Sequence, residues 1–267
     1  MNADSDFQIG KDHLVCQDYA IAGGKLFECS PFDAYAILCD GCSASPDVDI
    51  GARMLALAAK ETIQAGLAQD YQKFGEETLR KASNLFLNYP LLDCRALDAT
   101  LLVAQVKANE INAFIYGDGF FFHKSVNGLY AMKVELTSGA PDYLSYNLDP
   151  ARKIQYLNYS AADNEKKEVT IYDGEKRTVE VMEPFAPVVI SRSLQTGDIV
   201  AVCSDGMDSF RRADDSNIPW LELAEEFIGY KNTVGVFVKR RLNAFKKKMT
   251  KEGWTHSDDI SVAAIVV

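Results

Sequence analysis

Apolar runs that stop on an aspartate constrain this chain more than any other feature. Three runs lead into Cys39-Asp40-Gly41, Tyr116-Gly117-Asp118-Gly119 and Cys203-Ser204-Asp205-Gly206, and a fourth begins at Ser257-Asp258-Asp259-Ile260. Gln17-Asp18 and Leu97-Asp98-Ala99-Thr100 are a fifth and a sixth candidate. Asp-Gly is a common turn dipeptide, so turn chemistry at a strand end accounts for any one of these alone. Asp98 in particular reads as a cap on the turn before the strand that follows it. Taken together they say more, because strand ends of one sheet sandwich can converge on a single cleft. Carboxylates gathered there repel one another and are costly to desolvate unless cations neutralise them. Hard oxygen ligands select Mg²⁺ or Mn²⁺, and a glycine beside the aspartate lets the backbone carbonyl approach as well. Two such ions can activate water and clamp a phosphoryl group. The chain has no G-x-S-x-G, no G-x-x-x-x-G-K-[ST] and no H-E-x-x-H to suggest another chemistry.

The hydrophobic pattern places these aspartates on elements. Residues 33–39 read as a buried strand, and Ser45-Pro46-Asp47 as a helix start with proline in the first turn. A helix over 48–68 should turn Ile50, Met54, Leu57, Ala58 and Ile63 inward, and a second over 70–88 should bury Phe74, Leu79, Leu85 and Phe86. Segments 99–106 and 111–116 read as neighbouring strands, 120–123 and 129–133 as a hairpin around Asn127-Gly128, and 199–203 and 260–267 as further strands. Two more helices are expected at about 219–229 and 233–249. Strand runs alternating with helix pairs predict an α+β layered sandwich, with antiparallel sheets inside and helices outside. Residues 137–185 are polar, carry Pro141, Pro150 and a possible hairpin at Asp173-Gly174, and read as an irregular, mobile insertion in a single domain spanning 1–267.

Composition narrows the function classes. A 267-residue chain that is 48% hydrophobic can bury one large core. The net charge of −10 argues against a nucleic-acid footprint. No stretch approaches the roughly 20 apolar residues of a membrane span, and the N-terminus lacks a signal-peptide core. The expectation is a soluble, cytoplasmic, monomeric protein. Cys16, Cys29, Cys39, Cys42, Cys94 and Cys203 are scattered, which suits reduced thiols better than a disulfide framework or a zinc site. The basic stretch from Lys239-Arg240-Arg241 through Lys251 reads as a solvated helix face, although it has the charge to dock an acidic partner.

In order, Gln17-Asp18, Asp40-Gly41, Ala99-Thr100, Gly117-Asp118-Gly119, Ser204-Asp205-Gly206 and Asp258-Asp259-Ile260-Ser261 resemble the metal-dependent Ser/Thr protein phosphatases of type 2C. The resemblance covers about residues 10–266, and DGCSASPDVDIGARMLALAA looks like the metal-binding strand end and helix of compact bacterial members. It implies a four-layer αββα sandwich, two central antiparallel sheets flanked by helices, and a Mg²⁺/Mn²⁺-dependent hydrolysis of phosphoserine or phosphothreonine by direct attack of metal-bound hydroxide. By the same resemblance Asp40 bridges two ions, with the Gly41 carbonyl on one. Asp205 and Asp258 hold the other, and Asp18 sits on the Gly41 side. Asp118 helps bind a third, weaker ion. A phosphorylated protein substrate, and a kinase that opposes the enzyme, are the implied partners.

Three positions depart from the family pattern. The usual Asp-Gly-His-Gly-Gly is Asp40-Gly41-Cys42-Ser43-Ala44, so the Cys42 thiol stands where an imidazole protonates the leaving group. His13 occupies the place of a phosphate-gripping arginine, with a weaker hold than a guanidinium fork. Gly119 replaces the commoner serine. Asp259 stands where asparagine is frequent and takes no ligand role, and segment 137–185 takes the place of the family's flap. Cys42 and His13 motivate a second reading, a non-catalytic relative that binds a phosphoprotein. A metal phosphohydrolase of small molecules is a third.

Overall fold

Among the described residues (1–24, 31–67, 70–86 and 91–267 of the computed structural model), two antiparallel sheets lie face to face, and a helix pair covers the outside of each. The first sheet has the order β10 (Val188–Ser193), β5 (Glu110–Tyr116), β4 (Leu101–Lys107), β3 (Ala34–Asp40), β2 (Asp18–Gly24). The second runs β1 (Asn2–Gln8), β14 (Ile260–Val266), β11 (Ile199–Cys203), β6 (Gly119–Ser125), β7 (Gly128–Leu136), β8 (Lys167–Tyr172), β9 (Arg177–Met182). A short ribbon, β12 (Phe210–Arg211) with β13 (Thr255–His256), stands beside it. Helices α1 (Val48–Gln64) and α2 (Tyr71–Phe86) cover the first sheet, and α4 (Trp220–Ile228) and α5 (Phe237–Glu252) the second. Helix α3 (Pro150–Ala162) lies between β7 and β8 in the chain.

The central strands β3, β4, β11 and β14 are apolar along most of their length because both of their faces are buried. On β3, Tyr35, Ile37 and Cys39 meet α1 and α2, while Ala34, Ala36 and Leu38 meet the opposing sheet. On β6, Phe120 and Phe122 pack under α4 and α5, while Phe121 enters the space between the sheets. The period of two thus builds three buried layers, which is the expected αββα sandwich. The β4–β5 turn needs only Ala108 and Asn109, both at positive φ (49° and 63°), the backbone of a tight hairpin.

Several expectations need correcting. Ile50 and Leu57 of α1 are exposed, at 41% and 43%. The buried stripe runs instead through Val48, Gly51, Ala52, Leu55, Ala59 and Ile63. Small residues set that face: a Cβ on Gly51 would stand 1.7 Å from the Ala96 carbonyl oxygen. Leu85 of α2 also faces outward, and α1 begins after Pro46, with Asp47 at its start. Residues 137–185 are regular beyond the expected hairpin at Asp173-Gly174, which turns between β8 and β9. They hold a 3-10 helix at Leu144–Leu148, α3, and the hairpin β8–β9 that extends the second sheet. Strand β1, unforeseen in a polar segment, pairs along its length with β14. No described helix is long and apolar enough to cross a membrane. Cys16, Cys39, Cys42, Cys94 and Cys203 are free thiols, while Cys29 and the expected helix ends at 68 and 87–88 fall outside the described residues.

Candidate metal centre

Antiparallel pairing brings the aspartates to one end of the sandwich. β2 begins at Asp18 and β3 ends at Asp40, and these two residues are directly paired. β11 runs out at Cys203, opposite both Phe120 of β6 and Val262 of β14, so Asp205 follows it and Asp258 precedes β14 at the same edge. Asp118 lies in the crossover from β5 of one sheet to β6 of the other. Each loop depends on a close backbone approach. A Cβ on Gly41 would sit 2.9 Å from Val48 Cβ and 3.0 Å from the Gln17 carbonyl oxygen. Gly117 and Gly119 flank Asp118 with φ of 91° and 125°, and a Cβ on Gly119 would stand 2.9 Å from the Cys203 carbonyl oxygen. A serine at that position would be strained, so glycine there holds Asp118 in place.

The carboxylates disturb one another. Burial raises the Asp40 carboxyl well above the usual range, and the charges of Asp18, Asp205 and Asp258 add to it. Burial, then Asp205, also raises Asp118 and Asp258. Burial pushes Asp18 up to about 7, against the opposing pull of Ser261 and Ser204. Asp205 thus faces three of the other four. Asp18 is 1% exposed, and the Ser261 and Ser204 hydroxyls stand near it without a well-formed hydrogen bond to either carboxylate oxygen. A buried carboxylate without well-formed hydrogen bonds calls for a cation. Among the described residues, no three Asp, Glu, His or Cys side chains are placed to hold a single ion. Mg²⁺ usually keeps several waters and takes only one or two carboxylates, so facing pairs of carboxylates fit it better than a closed cage would.

The other predicted site residues take different surroundings. His13 Nδ1 lies 2.9 Å from Asp259 Oδ2 and Nε2 lies 3.5 Å from Asp258 Oδ1. Burial lowers the His13 pKa, but the contact and charge of Asp259, with those of Asp258 and Asp18, outweigh it and leave the imidazole raised. Asp259 is itself a clamp: its two oxygens accept Gly10 N–H at 2.7 Å and Gln17 N–H at 2.6 Å, fixing the loop that carries His13. Cys42 donates its N–H to the Asp98 carbonyl at 2.8 Å, and its side chain faces Tyr143.

Sequence reasoning gave one of these neighbours another role and missed a second. Asp98 does not cap a turn with its side chain. It is 3% exposed, and its carboxylate accepts Ser45 Oγ at 2.8 Å, Ser145 Oγ at 2.6 Å and Arg152 Nη2 at 2.7 Å. Tyr143 arrives from the segment read as irregular and lies within the fields of Asp118 and Asp40. Beside it, a cleft of about 440 Å³ opens between α2 and the insertion, lined by Tyr71, Tyr116, Asp142, Leu144 and Phe185 among others.

Known proteins share both the sequence pattern and the fold. The family described as Protein phosphatase 2C matches residues 10–245, a stretch that contains Asp18, Asp40, Asp118 and Asp205 and ends before Asp258. No curated protein sequence matches the chain. Among solved structures, the Mycobacterium tuberculosis serine/threonine phosphatase PstP superposes with a TM-score of 0.52 at 13% identity, covering 99% of this chain and 97% of that one. The catalytic domain of PstP in complex with two manganese ions gives 0.53 at 14%, with 99% and 97% covered. The S. agalactiae serine/threonine phosphatase gives 0.55 at 14%, with 99% and 98% covered. At such identities the structures speak for the fold, and the match over 10–245 speaks for descent: the chain belongs to the protein phosphatase 2C family.

Proposed function

We propose that this protein is a Mg²⁺/Mn²⁺-dependent phosphatase of phosphoserine and phosphothreonine in proteins, and a single domain over residues 1–267. The observation that supports it most is the set of carboxylates at one end of the sandwich, with both oxygens of buried Asp18 lacking a well-formed hydrogen bond. Asp40, the Gly41 carbonyl and Asp18 would hold one ion and Asp205 with Asp258 the other, which Asp40 would have to approach on loading, and Asp118 would take a weaker third. The ions supply charge neutralisation and water activation when bound. The chain's own part is to keep these carboxylates facing one another on strand ends too rigid to splay. The Asp259 clamp orders the loop of His13, and Cys42 stands at the mouth of the Asp40 loop, where the leaving oxygen needs a proton. A kinase that phosphorylates the same protein substrate is the corresponding partner.

Hydrolysis of p-nitrophenyl phosphate with added Mn²⁺ tests this reading. Metal-stimulated turnover that disappears in Asp40→Asn and Asp205→Asn supports it, and turnover indifferent to either substitution or to Mn²⁺ refutes it. One observation favours a second reading, a phosphatase-like binding protein: two carboxylates lie within ion-pair distance of the His13 imidazole and compete with a phosphate for it. Calorimetric titration separates the two, since a binding relative without metal chemistry takes up Mn²⁺ weakly or not at all.

A further inference from the structure

Four consecutive residues of the insertion are pinned at both ends beside the acid cluster. At one end Asp142 forms a buried pair with Lys167 Nζ at 2.6 Å, each side chain 1% exposed, and also accepts the Phe185 N–H. At the other end Ser145 Oγ donates to Asp98 Oδ1 at 2.6 Å, while Arg152 of α3 and Ser45 of the Asp40 loop fill the remaining positions on the same carboxylate. Between the pins stand Tyr143 and Leu144. Leu144 enters the core under α2, and Tyr143, 7% exposed, lies against Cys42 and within the fields of Asp118 and Asp40. Asp98 also accepts Cys42 N–H through its backbone carbonyl. One residue therefore grips both the loop that carries Asp40 and the segment that carries Tyr143.

A phosphoryl group arriving at this site meets carboxylates on most sides, and its oxygens need donors. His13 is held by Asp258 and Asp259. A neutral phenol hydroxyl donates to an anion without needing a charge of its own. We infer that Tyr143 is a substrate-contacting residue whose hydroxyl donates to a phosphoryl oxygen, and that Asp98 is the positioning residue that places it there. The inference rests on the phosphatase reading and deepens it, because the latch ties the insertion to the phosphoryl site.

The test is a double-mutant cycle read by calorimetric titration of inorganic phosphate in the presence of Mn²⁺, with p-nitrophenyl phosphate turnover alongside. Tyr143→Phe is expected to weaken phosphate binding about tenfold, the size of one hydrogen bond to a charged group. Asp98→Asn is expected to weaken it in the same direction. The pair together should do no worse than Tyr143→Phe alone, because both remove one contact. If Asp98→Asn does not fold, Arg152→Gln and Ser145→Ala each delete one donor and must show the same non-additivity. Effects that multiply, or a Tyr143→Phe protein that binds phosphate as the wild type does, overturn the inference while metal-dependent turnover keeps the phosphatase reading alive. Phosphate held through Tyr143 in a protein without turnover sinks the phosphatase reading and spares the inference. No phosphate binding at all overturns the inference, and turnover alone then decides the phosphatase reading.

Discussion

Asp98 and Asp18 are both almost fully buried, both beside the strand that ends in Asp40, and their surroundings are opposite. Asp98 is met by two hydroxyls and a guanidinium. Asp18 makes no well-formed hydrogen bond, has only the Ser204 and Ser261 hydroxyls near it, and faces Asp40 across the β2–β3 pair. Asp142, tied to Lys167, and Asp259, tied to two backbone amides and His13, belong with Asp98. The contrast separates two uses of a buried carboxylate. One joins chain segments and is stabilising only while its donors stay in place. The other is left without well-formed hydrogen bonds by the fold, a standing cost that a divalent cation would relieve.

The sharpest way to break this comparison is to unpair a carboxylate of the first kind. Lys167→Met removes the one cation from Asp142 in a site where each side chain is 1% exposed. The expected cost is about 3–5 kcal/mol, because a buried charge is left uncompensated. Urea unfolding measures it, and a loss below about 1 kcal/mol would show that water reaches Asp142 and that the pin on Tyr143 is loose.

The second kind should respond to metal instead. Mn²⁺ at a hundredfold over its dissociation constant should stabilise the wild type by about 2.7 kcal/mol, as for any ligand bound only by the folded state. Asp40→Asn should lose that gain, since it removes the proposed bridge. Thermal unfolding with and without Mn²⁺ reads both. A smaller and opposite effect is expected of Asp18→Asn in metal-free protein. Removing one of two facing carboxylates should leave stability unchanged or raise it by about 1 kcal/mol, whereas most substitutions at buried sites lower it. A loss of 2 kcal/mol or more would mean that Asp18 has partners like those of Asp98.

Much of this division was hidden in the sequence for physical reasons. The layered fold was legible because strands buried on both faces are continuously apolar, and Asp40, Asp118 and Asp205 stood out as candidates because each ends such a run beside glycine. β1 escaped because Asn2–Gln8 is largely polar: Ala3 and Phe7 face the space between the sheets, and Asp4 instead accepts the Val238 N–H at the start of α5. Lys167 escaped because a lysine in a charged run reads as solvated until its partner Asp142 is known. Tyr143 carried no local signal at all. Its position follows from Ser145 reaching Asp98 47 residues away and from Asp142 reaching Lys167, and pairings of that range are not written in periodicity. Asp98 and Asp259 were seen, but their side-chain roles depend on partners from other segments.

Asp259→Asn is the smallest change and the finest probe, since asparagine is frequent there in the family this chain resembles. The amide oxygen can still accept one of the Gly10 and Gln17 N–H groups, but the amide nitrogen cannot accept the other. One backbone donor is left short, at a cost of about 1 kcal/mol. The substitution also removes the carboxylate nearest His13, whose folded pKa is raised. A raised histidine contributes stability that is fully present below its unfolded value near 6.5 and is lost as pH rises through the folded value. The cost of Asp259→Asn should therefore be larger at pH 6 than at pH 9, where only the unmet amide remains. Urea midpoints of the two proteins at both pH values decide it. An equal cost at both would place His13 outside the clamp and leave it free to meet a phosphate.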